Sequence, residues 1–215
     1  MRAFIGVGPG RCGTVSLRQI VGACKNTNIT HEAYPSDWYS AGPRIGQLIR
    51  NMQNSGETLT GEVSCNLLPH INRIRDAVRG LPVVCMHRSR EETVQSLMGH
   101  LPPLLRPEDR RRRTVALEMD GWNPDKILRW PVIDAATVVQ SWEFYWEYAE
   151  KLMQLVVPPV KHIWMRSLND DFCIESIYNF LDIPRVDRVI PTRRNWNSTK
   201  ERISGRRHSA RTVPR

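Results

Sequence analysis

Residues 2–17 read Arg2-Ala3-Phe4-Ile5-Gly6-Val7-Gly8-Pro9-Gly10-Arg11-Cys12-Gly13-Thr14-Val15-Ser16-Leu17. The first six form a short apolar run of strand character, and Gly8, Pro9, Gly10 and Gly13 then punctuate a turn. From Thr14, which is available as an N-cap, Val15, Leu17, Ile20, Val21 and Cys24 recur at helical spacing. Strand, Gly-rich turn and helix in that order is the setting a phosphate-cradling loop requires. Glycines let backbone N–H groups approach an anion, and the helix start adds partial positive charge. This is not a Walker A loop, because the lysine that would reach the β/γ-phosphates falls at Thr14. The cation stands inside the loop instead, as Arg11, with Thr14 and Ser16 as hydroxyl donors. The competing reading of the stretch is a tight strand–helix turn and nothing more.

The alternation continues outward from this unit. Strand patterns are expected at 28–31, 58–64, 82–86 and 160–165, and helical ones at 45–52, 67–78, 91–98, 138–156 and 172–181. Pro82-Val83-Val84-Cys85-Met86 is a continuous apolar run, as expected of a strand covered on both faces. Strands alternating with helices predict an α/β fold of three layers, a central parallel sheet flanked by helices. Residues 1–184 are expected to form this domain. Within it, 101–131 breaks the rhythm with five prolines, Trp122, Trp130 and the run Arg110-Arg111-Arg112-Arg113, and reads as an inserted lid or substrate loop.

Composition narrows the class. The chain has 215 residues, 40% hydrophobic and 25% charged, with 13 Gly and 15 Pro, which excludes collagen, low-complexity disorder and coiled coil. No apolar run approaches the ~18 residues of a membrane-spanning helix, and strand character begins too early for a signal peptide. The five cysteines, at 12, 24, 65, 85 and 173, form no C-x-x-C pair, so a reducing, cytoplasmic setting is expected and neither a disulfide scaffold nor a metal site. Net charge is +9, but residues 185–215 hold ten basic and two acidic groups, leaving 21 against 20 elsewhere. A near-neutral body with a basic C-terminal segment argues against a nucleic-acid binder with a basic face throughout.

A second constellation follows the strand at 82–86. It runs into His87-Arg88-Ser89-Arg90 and then into a helix carrying Ser96. Arg88 leaves the sheet at the carboxyl edge, where open α/β sheets bind ligands, and Ser96 follows two helical turns later on the same face. Arg88 can hold a phosphate by a charge-assisted fork and Ser96 by its hydroxyl. Arg88 is equally placed to pair with Glu91 or Glu92 on the surface.

Gly10-Arg11-Cys12-Gly13-Thr14-Val15-Ser16-Leu17 resembles the 5′-phosphosulfate loop of sulfotransferases that use 3′-phosphoadenosine 5′-phosphosulfate (PAPS). The stretch from Cys85 to Leu97, with Arg88 followed eight residues later by Ser96, is similar to the 3′-phosphate motif of that family. His162-Ile163-Trp164-Met165-Arg166-Ser167-Leu168 and Phe180-Leu181-Asp182-Ile183-Pro184 resemble its closing strand, turn and helix. The resemblance covers residues 2 to about 184, in order. It implies a P-loop-NTPase-like fold and a sulfuryl transferase that needs no metal. It also implies PAPS as co-substrate, with Gly10, Arg11, Cys12, Gly13, Thr14 and Val15 around its 5′ end and Arg88 and Ser96 on its 3′-phosphate. The implied acceptor is a small molecule or carbohydrate, and the basic groups suit an anionic one. Two departures stand out. Where many relatives carry Lys before Ser/Thr-Pro, this chain has Glu62-Val63-Ser64-Cys65, and its tail only loosely matches the family's late basic loop.

Sulfuryl transfer needs a stabilised leaving phosphate and a base for the acceptor's proton. Arg11 suits the leaving charge. Glu32, beside His31 at the end of the strand at 28–31, stands where several relatives keep a catalytic Glu, with His31 and Glu62 as further candidates. The rival readings are a P-loop-like nucleotide kinase, a nucleic-acid binder using the basic tail, and a catalytically inactive relative.

Overall fold

The computed structural model describes residues 2–34, 42–100 and 138–191. The expected insertion at 101–131, with Arg110 to Arg113, and the tail beyond Pro191 lie outside the described residues. Among the described residues five strands form one sheet: β1 (Arg2–Val7), β2 (Thr27–His31), β3 (Leu59–Val63), β4 (Val83–His87) and β5 (Val160–Trp164). Their spatial order is β2-β3-β1-β4-β5, and every neighbouring pair is parallel. Among the described residues the α-helices are α1 (Thr14–Gly22), α2 (Gly42–Gln53), α3 (Ile71–Ala77), α4 (Arg90–His100), α5 (Val138–Gln154) and α6 (Asp171–Phe180). The three-layer α/β expectation is met.

Strand periodicity divides the core in two. Ala3, Ile5 and Val7 of β1 and Val83 and Cys85 of β4 face a cluster that includes Ile45, Leu48, Ile74, Trp142, Tyr145 and Met153. Phe4, Val84 and Met86 face the opposite cluster, with Leu17, Ile20, Ile174 and Tyr178. Alternate side chains therefore point to opposite faces, and both faces are apolar because both are covered.

The helix expected at 67–78 is shorter than the pattern suggests. A 3-10 turn, Cys65–His70, precedes α3, with Pro69 inside it and Ser64 accepting from the Asn66 N–H at 3.2 Å. Proline has no N–H for the α-helical ladder, so the α-helix starts beyond it. The first residues of the basic segment pack onto the body. Lys25 N–H donates to the Asp187 carbonyl at 2.9 Å, and Arg188 donates to the Ile183 carbonyl at 2.9 Å.

Candidate functional site

The strand order creates a switch point. After β1 the chain turns through α1 to β2 on one side, and after β4 it proceeds to β5 on the other. Adjacent strands whose connections depart in opposite directions leave a crevice outside their carboxyl ends, which is where such sheets take ligands. The Gly-rich loop and Arg88 both border this crevice.

The loop's backbone explains its glycines. A Cβ on Gly8 would lie 2.4 Å from the Met86 carbonyl oxygen, so the chain passes β4 too closely for any side chain. Gly13, at φ 99°, caps α1 in the left-handed region that glycine favours, and Arg11 is also left-handed at φ 72°. Among the described residues no side chain caps α1, and its first turn holds no acidic residue. Its ladder opens with Leu17 N–H to the Gly13 carbonyl, so the amides of Thr14, Val15 and Ser16 stand in the first turn as donors an anion can use. Other amides of the loop serve its shape. Cys12 N–H donates to the Pro9 carbonyl at 3.2 Å, and Gly10 N–H donates to the buried Tyr145 hydroxyl at 2.8 Å. Cys12 itself is fully buried, and burial pushes its thiol well above the ordinary range, so it is a packing residue and not a nucleophile.

The two sequence constellations meet here. Arg11 Nε–H donates to Ser96 Oγ at 3.2 Å, and an Arg88 terminal nitrogen donates to the Arg11 carbonyl at 2.9 Å. The surface pairing read from sequence is present as well: Arg88 Nε lies 3.4 Å from an oxygen of the largely exposed Glu92. Such a pair is worth about 0.3–0.5 kcal/mol, too little to hold a guanidinium against an incoming phosphate. Trp146 of α5 donates its indole N–H to the Arg88 carbonyl at 2.9 Å, fixing the backbone at the end of β4.

On the other side, His31 Nε2 and Thr14 Oγ1 lie 3.1 Å apart, tying the end of β2 to the first turn of α1. Glu32 follows at φ 53°, its N–H donating to the Val63 carbonyl at 3.3 Å and its carboxylate accepting from Cys65 Sγ at 3.6 Å. Glu62 is fully buried beneath it. It accepts from the Thr30 hydroxyl and from Ala33 N–H, the latter at 2.8 Å, and so anchors the turn that carries Glu32. Burial, with a smaller contribution from the Glu32 charge, pushes Glu62 up to about 6 against these hydrogen bonds. A carboxyl poised there can exchange a proton near neutral pH.

Sequence reading missed three contributors. Tyr145 and Trp146 sit in an aromatic stripe indistinguishable from core, and the third is a polar chain on β4, β5 and α5. His87 Nδ1 lies 2.8 Å from Glu150, and His87 Nε2 lies 2.8 Å from His162 Nδ1. The sequence signal was one histidine directly after an apolar run, at the end of β4, and a second in the middle of β5. Among the described residues, no group of three or more His, Cys, Asp or Glu side chains suits a metal ion, and no helix is long and apolar enough to cross a membrane. No protein-family model matches the chain, and no curated protein matches it.

Proposed function

We propose that the protein is a PAPS-dependent sulfotransferase whose nucleotide lies along the crevice between β1 and β4. The observation that carries this reading is the convergence of two anion-type motifs at one strand edge, joined through Arg11–Ser96 and Arg88–Arg11. A nucleotide phosphorylated at both ends needs two cationic stations a short distance apart. Thr14, Val15 and Ser16 amides with Arg11 offer one, and Arg88 with the Ser96 hydroxyl offers the other. A Walker-type kinase would need a lysine at Thr14, and the residue there is a threonine held by His31.

In the reaction the oxygen of an acceptor hydroxyl or the nitrogen of an acceptor amine attacks sulfur, forming an S–O or S–N bond as the bond from sulfur to the phosphate oxygen breaks. The products are a sulfate ester, or a sulfamate from an amine, and adenosine 3′,5′-bisphosphate. Arg11 and the first-turn amides stabilise the charge that develops on the leaving phosphate. Glu32 takes the acceptor's proton. Glu62 holds the Glu32 turn through Ala33, and His31 orients Thr14.

Calorimetric titration with adenosine 3′,5′-bisphosphate beside ATP tests the reading. Binding of the bisphosphate in clear preference to ATP, without Mg²⁺, is the expected result. Preference for ATP with Mg²⁺ would move the protein to the kinases, and binding of neither would remove the nucleotide.

A further inference from the structure

Behind Arg88 lies a polar chain that the proposed chemistry does not use, largely buried at His87 and Glu150 and exposed at His162. Glu150 of α5, His87 at the end of β4 and His162 of β5 are linked by two contacts of 2.8 Å. The side chains of His87 and Glu150 are 10% and 15% exposed, and Glu150 Oε1 is buried with no hydrogen-bond partner among the described residues. The carboxylate therefore leans on His87. Trp146, four residues before Glu150 and on the same helix face, grips the carbonyl of Arg88, which is the residue joined to His87. One face of α5 thus holds two consecutive residues at the strand end.

Proton counting defines what the chain tolerates. With Glu150 ionised, His87 Nδ1–H donates to it, and one proton on the line between His87 Nε2 and His162 Nδ1 completes the second bond. One extra proton is accommodated at His162 Nε2 with every bond kept. A second puts two N–H donors face to face across 2.8 Å, with two cations side by side, so the imidazoles must part. Other titratable groups near the chain are Cys85 on β4, pushed up by burial to about 12, and Cys12 in the loop, whose thiol lies higher still. Both stay neutral. Arg90 and Glu147 pair with each other at 3.6 Å, and Lys161 sits over the Phe180 ring.

We propose that the Glu150–His87–His162 chain is a positioning device for Arg88, holding it in its phosphate-reading place until both imidazoles are protonated and then releasing it. The proposal rests on the reading of Arg88 as the 3′-phosphate contact. Partial burial and then the neighbouring His87 hold His162, which takes the first proton, below its ordinary 6.5, and release needs a second proton beyond that one, so it falls on the acid side of that value. Selectivity for the 3′-phosphate is therefore kept at neutral pH and lost as pH falls.

The test is the ratio of affinities for adenosine 3′,5′-bisphosphate and 5′-AMP, measured by calorimetry between about pH 7.5 and 5.5. Wild type is compared with His162→Asn, which keeps a donor near the Nδ1 position and does not titrate. The 3′-phosphate's own ionisation near pH ~6 affects both proteins alike. The ratio in wild type should fall about tenfold further than in His162→Asn, the scale of one loosened charge-assisted contact. Parallel curves for the two proteins would overturn the proposal alone. An Arg88→Ala protein with an undiminished ratio at pH 7.5 would overturn the nucleotide reading and the proposal with it. NMR of the wild type gives a second readout independent of any variant folding. The Arg88 Nε signal should shift with the midpoint of the more acidic histidine, and a signal indifferent to that titration contradicts the proposal.

Discussion

Arg11 and Ser96, 85 positions apart, are joined by a hydrogen bond of 3.2 Å from the arginine Nε–H to the serine hydroxyl. The bond makes the Gly-rich loop and helix α4 one unit. A ligand bridging the two constellations is therefore read by both together, and truncating either residue disturbs the other. Arg11→Ala, Ser96→Ala and the double variant should show a coupling of about 0.5–3 kcal/mol in adenosine 3′,5′-bisphosphate binding. Simple additivity by calorimetry would show that the two motifs act apart.

Gly8 tests the loop's backbone. An alanine Cβ there would meet the Met86 carbonyl at 2.4 Å and Cys12 Sγ at 2.5 Å. The first is backbone and cannot swing aside, so Gly8→Ala should lose about 1–3 kcal/mol or more of stability in urea unfolding. Wild-type stability in that variant would mean that the loop and β4 are less tightly apposed.

Glu62 gives a pH signature. Its carboxyl titrates at about 6 in the fold and at 4.5 when exposed. Between those values the folded protein holds a proton that the unfolded chain has released, so its contribution to stability falls as pH rises and levels off above about 6. The loss is about 2 kcal/mol, and Glu62→Gln should remove it. Identical pH–stability curves for the two proteins would contradict the assignment of the titration to Glu62.

The acid–base roles separate by kinetics. Glu32→Gln should lower turnover about 10²–10⁴-fold while leaving nucleotide affinity near wild type. Glu62→Gln should disturb the Glu32 turn less, because an amide oxygen still accepts from Ala33 N–H. A larger loss from Glu62→Gln than from Glu32→Gln would transfer the base role to Glu62.

The legible parts of the fold were those with a single strong period. β1, the Gly-rich turn and α1 follow directly from residues 2–22, and the apolar run at 82–86 announced a strand covered on both faces. Its extension to His87 was not legible, because a histidine paired with Glu150 and His162 looks polar in isolation. Pro69 divided one apparent helix, since apolar spacing does not register a missing N–H. Arg11, Arg88 and Ser96 could be named from spacing and resemblance. Their contact could not, because it depends on the strand order that sets β4 beside β1. Tyr145 was hidden for the opposite reason: among Trp142, Trp146 and Ala149 it reads as core, and only its hydroxyl on Gly10 gives it a role at the loop.

The central claim, that this crevice reads a nucleotide at two phosphates, is tested most directly by Arg88→Ala. Calorimetry should show affinity for adenosine 3′,5′-bisphosphate reduced by about 2–4 kcal/mol, with 5′-AMP binding almost unchanged. An equal loss for both ligands, or no loss for either, would contradict it.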